Sequence, residues 1–159
     1  MGLKEVILQK GWAGRTLSRE ETIAQINPVI KQHMALNHAY NHVIAHCTEQ
    51  DVTAHLAGFQ RTARMDVGKL METVFSCGGV AYNGVDMEPG DFNLGTDNDE
   101  MLFQLLDREQ AFREALAQAL ALEHQMRTRA ILTLLHTNSQ ERYDYLKVNT
   151  KRRRRKAVE

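Results

Sequence analysis

Proline is almost missing from this sequence, which has only Pro28 and Pro89 in 159 residues. A chain so poor in helix breakers can hold long uninterrupted helices. Apolar runs are short: none approaches the ~20 residues of a spanning helix. The leading MGLKEVILQKGWAGR also lacks the apolar core and small-residue cleavage site of a secretory signal. A cytoplasmic protein without membrane contact is therefore expected. Cysteine is limited to Cys47 and Cys77, without the CxxC spacing of a zinc ribbon, so neither a disulfide framework nor a structural zinc site is expected. If the first two helices are antiparallel, these thiols are roughly 39 Å apart at ~1.5 Å per residue, beyond any bridge. No glycine-rich phosphate loop follows a strand, no apolar alternation supports a strand, and Cys77 has no base near it in sequence. Nucleophilic catalysis has little to rest on.

With 43% hydrophobic and 25% charged residues, the chain suits one soluble globular domain. Ser18-Arg19-Glu20-Glu21 has the form of a capping box, and Asn27-Pro28 reads as a second helix start or a kink. A helix is expected from Pro28 to about Cys47 and another from Asp51 to Ser76. The glycine-rich GGVAYNGVDMEPGDFNLGTDN then forms one long connection. No glycine or proline occurs from Asn98 to Asn138, and a turn near Ala121 to His124 divides this stretch into a third and a fourth helix. The domain reading is an N-terminal arm over 1–27 with room for a short helix, a four-helix bundle over 28–147, and a basic tail over 148–159.

Four histidines crowd HMALNHAYNHVIAHC, and three of them, His38, His42 and His46, follow i, i+4, i+8 spacing. At about 100° per residue, however, Val29, Leu36, Tyr40, Val43, Ile44 and Cys47 form the apolar stripe. The ladder lies opposite, facing solvent or a subunit contact, with no carboxylate or thiolate partner in reach. His33 lies inside the stripe. The other stripes also carry polar residues: Asp66 between Ala63 and Leu70, Glu109 between Leu105 and Phe112, and Asn138 and Arg142 among Ile131, Leu134, Leu135, Tyr145 and Leu146. Asn37 flanks the first stripe. Since buried charge is tolerated only when paired, these residues predict a shared polar layer: Asn37, Asp66, Glu109, Asn138 and Arg142.

Four helices with a long second-to-third crossover and inward polar groups resemble the ferritin-like superfamily, including rubrerythrin-type bundles. RTARMDVGKLMETVFSCGG resembles the segment carrying the first Glu-x-x-His ligand pair before a Gly-Gly turn, and TNSQERYDYL stands where the second occurs. The resemblance covers about Pro28 to Lys147 and implies an all-α ferritin-like bundle with a long crossover between the second and third helices. Its metal set carries over at one place, Glu109 on the third helix. Asn37 stands at the first-helix carboxylate, Ala63 and Asp66 at the first Glu-x-x-His, and Ser139 and Arg142 at the second. The expectation is a degenerate di-iron site without catalytic residues or cofactor, in which Arg142 supplies a fixed positive charge bonded to Asp66 or Glu109. The protein would then act in binding or assembly, as a homo-oligomer or with a protein partner. The alternative is a metal-dependent oxidase or iron-handling protein, holding iron or manganese with Glu109, Asp66, His33 and Glu141.

Two further segments carry distinctive charge patterns. DFNLGTDND resembles a calcium loop but has Thr96 and Leu102 where an EF-hand needs glycine and glutamate. Asp97 or Asn98 instead caps the third helix. Charge is also uneven: of 20 basic and 20 acidic residues, seven basic and one acidic lie from Lys147 onward, leaving a body of net −6. The run Lys151, Arg152, Arg153, Arg154, Arg155, Lys156 suits an anionic partner, with nonspecific nucleic acid as one candidate.

Overall fold

The computed structural model describes residues 15–158, which form an all-α four-helix bundle with no strand among them. The helices are α1 (Arg19–His46), α2 (Gln50–Ser76), α3 (Asn98–Leu120) and α4 (Met126–Val158), with a 3-10 turn at Pro89–Phe92. None of them is long and apolar enough to cross a membrane. α1 packs on α2 and α3, and α4 on α3 and α2. The turns joining α1 to α2 and α3 to α4 are short, so each pair folds back on itself as a hairpin.

α1 begins at its capping box. Ser18 Oγ accepts from the Glu21 N–H at 3.1 Å, and Glu21 Oε1 accepts from the Ser18 N–H at the same distance. Residues 19–27, expected in the arm, are thus the first turns of α1, and Pro28 lies inside the helix. Residues 1–14 of the expected arm lie outside the described residues. Asn27 is not a cap. Its Nδ2 donates to Val80 O at 3.0 Å and its Oδ1 accepts from Tyr82 N at 2.8 Å, strapping the α2–α3 connection onto α1. Gly79 permits this approach, because a Cβ there would stand 2.6 Å from Ile23 Cδ1. α3 is capped by Asp97, whose Oδ2 accepts from Glu100 N at 2.9 Å.

The apolar stripes of α1, α2 and α3 meet in a core that includes Tyr40, Leu56, Leu70, Leu105 and Phe112, all 0% exposed. α4 departs from its expected arc: Leu134 is exposed, and the buried positions are Thr128, Leu132, Leu135, Ser139, Arg142, Leu146, Asn149 and Thr150. The basic run, expected as a tail, continues α4 as helix to Val158.

Candidate functional site

Polar side chains from all four helices enter the bundle. The centre of this layer is the Glu109 carboxylate on α3, itself 0% exposed. Four donors converge on it. Tyr40 of α1 donates its hydroxyl to Oε1 at 2.7 Å, and Ser139 of α4 donates to Oε2 at 2.8 Å. Arg142 of α4, 1% exposed, places Nε 2.5 Å from Oε1 and Nη2 3.3 Å from Oε2. This forked contact satisfies both lone-pair regions of the carboxylate with a charge that does not leave the guanidinium. Burial works against the Arg142 charge, but Glu109 outweighs it and raises the pKa above the ordinary arginine value. Tyr40 is pushed well above its usual range by burial and then by the Glu109 charge, so it stays a donor.

Asp66, also 0% exposed, stands beside this cluster rather than in it. Its Oδ2 accepts from Asn138 Nδ2 at 2.9 Å, and Lys69 Nζ lies 3.6 Å from Oδ1. Asn37 is buried, with Oδ1 lacking a hydrogen-bond partner, while its backbone carbonyl accepts from Gln60 Nε2 at 3.2 Å. His33 is fully buried, stacked on Phe112 at 4.4 Å between centroids, with neither ring nitrogen hydrogen-bonded. Burial, followed by the Arg142 charge, lowers its pKa to about 3, so the imidazole is neutral.

The donor chemistry does not suit a metal. Glu109 is saturated by hydrogen-bond donors, Arg142 brings a positive charge to the same point, and Glu141 lies on the exposed face of α4. Among the described residues no three His, Cys, Asp or Glu side chains form a group able to hold a metal ion. The histidine ladder faces solvent at His46 and is half-buried at His38 and His42. The α2–α3 connection covers much of it: His38 stacks on Phe92 at 4.8 Å, and His42 Nε2 lies 2.7 Å from Gly95 O. Both cysteines are free and half-buried.

Sequence reasoning missed Tyr40 and Ser139 as members of the layer. The signal was spacing: Tyr40 follows Asn37 by three residues and Ser139 precedes Arg142 by three, so each shares a helix face with an expected member. Away from the layer, a groove of about 640 Å³ between α1 and α3 is lined by Ala24, Val29, Ala115, Ala119 and Leu122 among others and offers no titratable group for chemistry. No protein-family model matches the chain, and neither does any curated protein.

Proposed function

We propose that this chain is a ferritin-like bundle whose metal centre has been replaced by a protein-supplied ion pair, and that it acts as a non-catalytic binding or assembly protein of the cytoplasm, joined as a homo-oligomer. The observation that carries this reading is the buried Arg142–Glu109 contact, since the one carboxylate matching the family's metal set is held by a cation of the chain itself. The arrangement of packed pairs, with α2 joined to α3 through residues 77–97, supports a crossover of the ferritin-like kind. Exposed apolar side chains on α2 and α4, Met65, Phe75 and Leu134, support assembly.

Metal content and mass in solution test the proposal together. Protein purified without chelator or nickel resin is expected to carry substoichiometric iron and manganese by elemental mass spectrometry, and to sediment as more than a monomer. Stoichiometric iron or manganese would overturn the ion-pair reading in favour of an oxidase or iron-handling protein. A monomer at all concentrations would remove the homo-oligomer.

A further inference from the structure

The basic run of α4 is a built surface rather than a trailing segment. α4 is 33 residues long, and its last buried positions are Asn149 and Thr150. Arg153 then closes onto the bundle: its Nη1 lies 2.6 Å from Asp99 Oδ1 and its Nη2 2.7 Å from Glu49 Oε1. With Arg153 turned inward, helical geometry at about 100° per residue sends Lys147, Lys151, Arg152, Arg154 and Arg155 over a far arc of roughly 160°, with Lys156 at its edge, about 60° from Arg153 and beside Glu49 and Asp99. Lys147, Lys151, Arg152, Arg154, Arg155 and Lys156 are all exposed. Arg154 lies over the Phe103 ring, 5.0 Å from its centroid, and stays exposed.

We infer that this outward face of α4 binds the phosphodiester backbone of duplex nucleic acid, without sequence specificity. The inference is independent of what fills the bundle centre. The face holds six cations and two exposed apolar side chains, Val148 and Val158, set ten residues apart. That leaves no apolar stripe to enter a lipid interface and no aromatic anchor for a protein interface, so charge is the only recognition it offers. Arg152, Arg154 and Arg155 present planar forks that match phosphate oxygens, and a helix set with cations over a wide arc meets phosphates on both sides of a groove. The body of the chain, net −6, repels the same backbone and confines contact to α4.

Fluorescence anisotropy of a labelled random-sequence 30-base-pair DNA, titrated with the full chain from 50 to 200 mM NaCl, tests this. Six phosphate contacts predict a loss of affinity of about 10³-fold across that range, from a slope of about 0.9 per contact. The variant combining Arg152→Ala, Arg154→Ala, Arg155→Ala and Lys156→Ala keeps two contacts, so its salt-dependent loss shrinks to about tenfold and its affinity at 50 mM falls steeply. Its helical circular dichroism should match wild type, because the four side chains are exposed. Lys31→Ala with Arg61→Ala, removing two exposed cations of α1 and α2, should bind as wild type does. The proposal is overturned by absence of binding at 50 mM NaCl, by equal binding of the four-site variant, or by vesicles rich in phosphatidylserine competing as well as unlabelled duplex.

Discussion

Arg142 brings a full charge into a helix interior, and its energetic effect is set by what would be left behind without it. Glu109 would keep its hydroxyl donors Tyr40 and Ser139 but lose the one cation bonded to it among the described residues. Breaking one side of a buried pair typically costs ~3–5 kcal/mol, whereas replacing both partners by apolar groups of similar volume is often close to neutral. Arg142→Ala is therefore expected to lower the urea-unfolding free energy by about 3–5 kcal/mol. Arg142→Met combined with Glu109→Leu should recover most of that loss, a strongly non-additive cycle. The coupling belongs to Glu109; Asp66 bonds Asn138 instead. A loss below about 1 kcal/mol for Arg142→Ala would give the pair the weight of a surface contact.

His33 supplies the pH dependence at the same scale. Its folded pKa is lowered to about 3 from an ordinary 6.5, by burial and then by the Arg142 charge. Between these values the unfolded chain holds more protons than the folded one, so stability is complete above about pH 6.5 and falls as pH drops toward 3. From pH 7 to pH 5 the loss attributable to this residue is about 2 kcal/mol, at 1.36 kcal/mol per unit. His33→Phe, which keeps a ring against Phe112, should remove that increment from the pH 5 minus pH 7 difference in urea unfolding. An unchanged difference would assign the acid sensitivity to other groups.

Among the elements, α2 and α3 were legible almost to their ends because apolar spacing, the Gly78–Gly79 stop and the Asp97 cap all agree. α1 was harder. Proline at 28 imitates a first helical position and Asn27 imitates its cap, yet the side chain of Asn27 is engaged with Val80 and Tyr82 more than fifty residues away. A long-range strap leaves no local spacing to read. α4 was misphased for a different reason: the stripe Thr128, Leu132, Leu135, Ser139, Arg142, Leu146, Asn149 is regular, but four of its seven residues are polar. Hydropathy then favours Leu134, which the fold leaves exposed. Arg142 and Glu109 were recognisable as polar intrusions. Tyr40 and Ser139 were not, because a tyrosine passes for core and a serine for surface until their partner is known.

Across the whole molecule, one residue joins three helices at the end of the bundle. Arg153 on α4 bonds Glu49, the residue preceding α2, and Asp99 in the first turn of α3, so a cation meets two carboxylates beside two helix N-termini. Its hydrogen bond to Glu49 is the main cause lowering the Glu49 pKa and raising its own. Thr48 and Asn98 add a second link nearby, Asn98 Nδ2 donating to Thr48 Oγ1 at 2.8 Å. The Arg153 side chain is 10% exposed, but its partners Glu49 and Asp99 are 39% and 50% exposed, which moderates the gain. Solvent-facing pairs contribute ~0–1 kcal/mol, and the forked geometry places this one near the top of that range. Arg153→Ala is thus expected to cost about 1 kcal/mol, seen as a melting temperature lower by about 2–4 °C for a chain of this size. Arg155→Ala, two residues on and exposed, should leave it unchanged. Because exposed charges are screened within a few ångströms at 1 M salt, the gap between the two variants should narrow when melting is repeated in 1 M NaCl. Equal melting of both variants at low salt would mean that α4 is held to the other helix ends by its buried residues up to Thr150 alone.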